Sequence, residues 1–327
     1  MSGRHFSSLE VCAGAGGLAL GLQHAGFEPV LLLDKRDVAC RTLRMNRPEW
    51  DVRETDLLEF DPSENQQVYD VDLLSAGLPR VKATATVNRS RGSEQELELL
   101  KATILLVHGV QPRALLIENV PDLVTKDAYE PIRDDIRSEL DHLGYGHMWF
   151  VVNAADYGVP QHRLQGVLVA LKEDALDAFH VPPRLPDPPV TVGAALRESM
   201  ATRGWRQADE WAARANRIAP TLVGGSWERG GADLGPRGSK NAWARMGVDG
   251  GSVADLPPAI DFHWDPTLGR AGMVQITVDQ AAHLQGFPAD WRFAGRKTAR
   301  YRQVAEASPP PVARAIGHAI ADALNAG

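Results

Sequence analysis

The chain has 327 residues, 44% hydrophobic and 24% charged, with a formal net charge of -7. These values exclude a disordered or fibrous protein and fit one large domain, alone or with a small companion. No run of about 18 apolar residues occurs and Met1 to Phe6 carries no signal-peptide core, so a cytoplasmic protein without a membrane partner is expected.

Two cysteines, Cys12 and Cys40, give neither a metal spacing nor a disulfide framework, and no metal site is expected. The acidic balance argues mildly against a nucleic-acid partner for the chain as a whole.

In chain order, Leu9 to Cys12 reads as a buried strand that breaks into Ala13-Gly-Ala-Gly-Gly17, with a helix opening near Leu18. Gly14, Gly16 and Gly17 let the backbone turn sharply and approach a ligand, as a nucleotide-type cofactor seat requires. Further strands are expected at Pro29 to Leu33, in a short stretch before Asp56, and at Val71 to Ser75, Ala114 to Ile117, His147 to Asn153 and Gly166 to Leu171. Apolar runs alternating with helical stretches indicate βα units. Asp34 ends the second strand about twenty residues after the glycine turn, placed to accept from a ribose, and Asp56 is a further acidic candidate. Either carboxylate could instead cap a helix.

Five prolines between Val181 and Pro189 mark a boundary. Thr191 to Asp265, rich in Gly pairs and tryptophan with little periodicity, reads as a small irregular domain. Between Arg203 and Arg245 eight Lys/Arg face four Asp/Glu, so the acidic chain has a basic middle suited to phosphate. From Val278 the pattern is helical again.

Four stretches in order resemble the DNA (cytosine-5) methyltransferases. Cys12 to Gly17 is similar to the family's cofactor loop, with cysteine where phenylalanine is usual. Glu118-Asn119-Val120 resembles its Glu-Asn-Val motif, and Tyr157-Gly-Val-Pro-Gln-His-Arg163 its Gln-x-Arg-x-Arg motif. Leu284 to Trp291, Tyr301 to Val304 and Pro309 to Val312 resemble its C-terminal motif.

The resemblance implies a Rossmann-like, doubly wound mixed α/β sheet with a smaller target-recognition-like domain. It divides the chain into 1–185, 186–270, and a segment 271–327 returning to the large domain. It implies S-adenosylmethionine as cofactor, lined by Gly14, Gly16, Gly17, Leu18, Asp34 and Asp56 and approached by Glu306. Double-stranded DNA is the implied partner, with Glu118 holding cytosine N3 and Arg163 its O2. In such enzymes a thiolate adds at C6 of a base flipped out of the duplex before the methyl group is taken.

The sequence departs from that pattern where the nucleophile belongs. Ala76-Gly77-Leu78-Pro79 is followed by Arg80, and a guanidinium has no lone pair to add at C6. The loop Arg80 to Arg91 holds four basic residues and no acidic one. Gln165 stands where the second arginine belongs, and Ala305-Glu306-Ala307 replaces Gly-Asn-Ala. The expected function is a catalytically silent relative that binds DNA, with weakened cofactor binding, and accompanies an active methyltransferase or a nuclease. The alternatives are an active cytosine methyltransferase or one with atypical chemistry, and an interaction module without ligands. DNA contact is expected from the middle domain and the five basic residues of Arg292 to Arg302, with the Arg80 to Arg91 loop as a clamp.

Overall fold

The computed structural model describes residues 5–81, 90–224 and 230–326. It forms two compact units: Met1–Val152 with Leu164–Pro183 and Val312–Gly327, and Asn153–Arg163 with Arg184–Pro311.

The first unit is built on seven strands: β1 (Phe6–Val11), β2 (Phe27–Asp34), β3 (Val52–Glu54), β4 (Leu73–Gly77), β5 (Ala114–Asn119), β6 (Tyr145–Asn153) and β7 (Leu164–Lys172). Their spatial order is β3-β2-β1-β4-β5-β7-β6. The ladders from β3 through β5 are parallel, and β7 runs antiparallel to β5. Strand order reverses between β1 and β4, and in open α/β sheets the loops diverging at such a point frame the ligand crevice.

The central strands are near-continuous apolar runs because helices cover both faces. On one face Val11, Leu33, Ala76, Ile117 and Leu168 share a core with Ile104, from the helix Ser90–Val110, and with Ile136, from the helix Glu130–His142. Elsewhere in this unit the C-terminal helix Pro310–Ala326 meets the turn after helix Gly17–Gln23. There Gly317 lies so close to Ala25 and Leu22 that a Cβ would press on both. Gly166, opposite Asn119, abuts the Val120 carbonyl too closely for any side chain.

The second unit holds helices Val192–Ala201, Ala208–Arg214, Arg237–Arg245, Val278–Leu284 and Lys297–Glu306. Three of these lie in the stretch expected to be irregular, and at 10, 7 and 9 residues they are too short to display much periodicity. Thr191 and Thr277 cap two of the five helices, the latter in a reciprocal capping box with Gln280. Trp205, Trp211, Trp243 and Trp264 are buried in this unit. Two of their indole N–H groups donate to backbone, Trp205 to Phe262 (2.9 Å) and Trp264 to Gly247 (3.1 Å).

The division differs from the expected one. Residues 271–311, expected with the large domain, remain in the second unit, and only Val312 onward joins the first. Residues 153–163 also belong to the second unit. Hydrogen bonds explain both differences, since Gln280 donates to Ser199 (3.0 Å) and Gln161 donates to the side chain of Gln285 (2.5 Å).

Candidate active site

At the C-terminal ends of the parallel strands, register continues one step past the apolar row Leu33, Val11, Ala76, Ile117 and Leu168. The next positions are Asp34, Cys12, Gly77, Glu118 and Val167. The glycine turn follows β1 there. Gly14 (φ 55°) and Gly16 (φ 83°) occupy the left-handed region, and a Cβ on Gly14 would project into open space. Asp34 is buried, and its two carboxylate oxygens accept from the Gly14 and Arg36 N–H groups, both at 2.8 Å. It therefore fixes the turn itself, which the sequence reading did not anticipate. Each oxygen keeps a second lone pair for a ligand hydroxyl.

Asp56 lies 3.6 Å from Lys35 and accepts from the Leu58 N–H (3.2 Å), so it caps a short 3₁₀ turn while its side chain stays partly exposed. Gly17 and Leu18 begin the first helix and are buried. An open turn with two carboxylates beside it fits a cofactor that offers hydroxyl and amine donors.

On the other side of the reversal, the loop after β4 is held by Asn119. Its Oδ1 accepts from the Val81 N–H (3.0 Å) and its Nδ2 donates to the Pro79 carbonyl (3.3 Å). Arg80 is thus bracketed on both sides while its side chain is exposed. The sequence motif named Asn119 without giving it a role, and the structure shows the buried amide holding this loop.

Glu118, half-buried, pairs with Gly77 on one side and Val167 on the other. Gln165, two residues before Val167 and therefore on the same sheet face, is buried. Residues 82–89, which make up most of the Arg80 to Arg91 clamp, lie outside the described residues.

Neither thiol compensates for Arg80. Cys12, at φ 52° in a strained backbone region, has its pKa pushed up to about 12 by burial and by the Asp34 and Asp56 carboxylates. Burial and Asp34 push Cys40 to about 11, and its Sγ donates to the Asp34 carbonyl (3.3 Å). Both are protonated at neutral pH, and the protonated thiol is a poor nucleophile.

Glu10, the remaining acid of the β1 run, was also missed. It is buried, accepts from the Ser8 hydroxyl (2.9 Å) and from Ser75, and burial raises its pKa from 4.5 to about 7.

In the second unit, Arg163 is 1% exposed, and its guanidinium donates to the Ala305 (2.9 Å), Glu306 (3.3 Å) and Leu222 (3.4 Å) carbonyls. Gln161 receives the Leu222 N–H (2.8 Å), and Gln285 donates to the Ala307 carbonyl. The Gln-His-Arg and C-terminal motifs thus share one buried network.

Glu306 is exposed. Arg302 is buried on the Gly224 (3.3 Å) and Gly230 (2.9 Å) carbonyls. That removes it from the basic stretch expected to meet DNA. Lys297 and Arg300 pair with Asp255 (3.1 Å) and Asp279 (2.6 Å).

A model of the C-5 cytosine-specific DNA methylases matches residues 6–322. The chain is 41% identical over 320 residues to the Type II methyltransferase M.NaeI of Lentzea aerocolonigenes, covering 97% of this chain and 75% of that protein. It is 38% identical over 325 residues to the Type II methyltransferase M.NgoMIV of Neisseria gonorrhoeae, covering 98% of each. Among solved structures, a putative DNA modification methyltransferase from an Escherichia coli prophage aligns with TM-score 0.68 at 20% identity, over 98% of this chain and 99% of that one. The S. pombe Dnmt2 methyltransferase aligns with TM-score 0.64 at 14% identity, over 98% and 99%. The glycine turn with its carboxylates and the Glu118-Asn119 strand end therefore sit in a chain that belongs to the C-5 cytosine-specific DNA methylase family, whose methyl donor is S-adenosylmethionine.

Proposed function

We propose that this chain is a DNA-binding member of the family that does not form the covalent enzyme–cytosine bond and serves a Type II restriction–modification system as a partner protein. The observation that carries the reading is Arg80, held by Asn119 in the loop after β4 where the resemblance places the nucleophile. Addition at C6 needs a thiolate, arginine cannot supply one, and Cys12 and Cys40 both hold their protons.

S-adenosylmethionine, when bound, supplies the methyl group. Gly14, Gly16 and Gly17 would leave room for it, and Asp34 and Asp56 would accept its ribose and adenine donors. DNA contact would fall to exposed arginines of the second unit such as Arg237 and Arg296. An active methyltransferase or a nuclease is the natural class of protein partner.

A second reading, a working cytosine-5 methyltransferase, is favoured by the names of M.NaeI and M.NgoMIV, both Type II methyltransferases. Incubation with methyl-labelled cofactor and mixed-sequence duplex DNA separates the two. The first reading predicts no label in DNA; time-dependent incorporation that Glu118→Gln abolishes would establish the second.

A further inference from the structure

Within the second unit two stretches carry opposite charge. Residues 203–245 hold eight Lys/Arg and four Asp/Glu, whereas residues 249–273 hold four aspartates and one arginine. The acidic stretch also exposes large apolar side chains. Leu256, Ile260 and Leu268 are 61%, 57% and 64% exposed, three of the four most exposed large hydrophobics among the described residues. One such leucine is ordinary, but three in so short a stretch mark a contact surface.

Leu256 lines an open cleft of about 580 Å³ with Pro258, Phe262, Met273 and Val274, and Arg270 stands on its wall. Leu268 lies beside it, its Cβ 3.2 Å from where a side chain on Gly272 would begin, next to Met273. The backbone around the cleft is held from behind. Arg203 donates to the Pro257 carbonyl (2.9 Å), Trp205 donates to that of Phe262 (2.9 Å), and Gln207 accepts from the Trp264 N–H (2.7 Å) while donating to its carbonyl (3.2 Å). A surface fixed before binding spares its partner the cost of ordering it.

The charges decide what that partner can be. Asp249 takes the Arg270 guanidinium in two hydrogen bonds (2.8 and 3.3 Å), and Asp255 takes Lys297 (3.1 Å). Asp261 and Asp265 form no ion pair of 4 Å or less with another described residue. The apolar surface therefore has an acidic margin, which repels the phosphates of a duplex and would repel the same surface of a second copy. No strand borders the cleft among the described residues, so strand addition has no template there, and a helix laid into the groove is the mode that fits.

We infer that this face of the second unit docks an amphipathic helix of another protein, with large apolar side chains entering the cleft and flanking lysines or arginines meeting Asp261 and Asp265. The inference deepens the proposed role as a partner protein by giving it a surface, and it does not depend on Arg80. Label entering DNA would end the non-covalent reading and leave the surface standing, whereas the experiment below tests the surface alone.

The probe is a fluorescein-labelled helical peptide of about 18 residues, five turns long, with leucines on one face and lysines on the other, added to the full chain and read by anisotropy. Wild type is expected to bind it. Replacing the peptide's leucines by serine, or its lysines by glutamate, should each weaken binding by about tenfold or more. In the protein, Leu256→Ser combined with Leu268→Ser should do the same, and Asp261→Lys should weaken binding about threefold. Both leucines are exposed, so the double variant should unfold at the wild-type temperature. Hydrogen exchange on the wild-type chain locates the peptide without any substitution, and protection should fall on residues 254–275.

Wild type that ignores the peptide overturns the inference, as does binding that survives the double substitution or protection that falls outside residues 254–275. Duplex DNA that protects residues 254–275 would assign the surface to nucleic acid. Sedimentation that finds dimers of the chain alone, dissociated by Leu268→Ser, would assign it to a second copy. Either result overturns the inference as well.

Discussion

Glu10 gives the sharpest energetic prediction, because both of its hydrogen-bond donors stand on adjacent strands, Ser8 on β1 and Ser75 on β4. The carboxyl is buried between the Ser8 and Ser75 hydroxyls, and burial raises its pKa from 4.5 to about 7 while the two hydroxyl donors pull the other way. The folded state therefore holds a proton that the unfolded chain releases near pH 4.5. The resulting stability is fully present below that pH and is lost as pH rises through about 7. At about 1.4 kcal/mol for each tenfold difference in proton affinity, the loss is roughly 3 kcal/mol.

Glu10→Gln keeps the shape and cannot ionise, and its amide can still meet both serine hydroxyls. Urea unfolding at intervals from pH 4.5 to 8 should show wild type losing about 3 kcal/mol relative to the variant across that range, with the variant the more stable above pH 7. Parallel curves for the two proteins would mean that Glu10 is not buried as described.

Four further outcomes follow from where these residues stand. Gly166→Ala forces a Cβ onto the Val120 carbonyl and should lower stability by about 1–3 kcal/mol in thermal unfolding. Arg237→Ala and Arg296→Ala should each reduce the slope of log affinity for DNA against log salt by about one, read by anisotropy. Arg302→Ala should instead destabilise the fold by about 1–3 kcal/mol, because its contacts are backbone carbonyls. Arg80→Cys alone should form no covalent complex with duplex containing 5-fluorocytosine, since the loop beyond Val81 departs from the family pattern and a thiol needs placement to within about an ångström. A gel-stable adduct would show that placement survives.

Much of this was legible in the sequence because βα units announce themselves locally. Every expected strand is present, and Asp34 and the glycine turn are adjacent as their spacing implied. What could not be read is what depends on partners distant in the chain. Nothing around Arg163 foretells that its guanidinium binds the Ala305 and Glu306 carbonyls about 140 positions later. Arg302 looked like one more surface cation for the same reason. Three helices of the second unit, Val192–Ala201, Ala208–Arg214 and Arg237–Arg245, were missed because two to three turns give little periodic signal, and the tryptophans in that stretch are scattered singly. Glu10 and Asn119 were visible as polar residues in apolar strands, but their meaning lies across the sheet, in Ser75 and in the Pro79 and Val81 peptide groups.

In the proposed function the wild-type chain meets DNA without a nucleophile. Intact-mass spectrometry of the protein after incubation with S-adenosylmethionine and a 5-fluorocytosine duplex tests it most directly, because that base traps any thiol that adds at C6. The expected result is a protein mass unchanged from that of the untreated chain. A mass increased by the DNA strand, with the attachment mapped to Cys12, Cys40 or any other side chain, would contradict it.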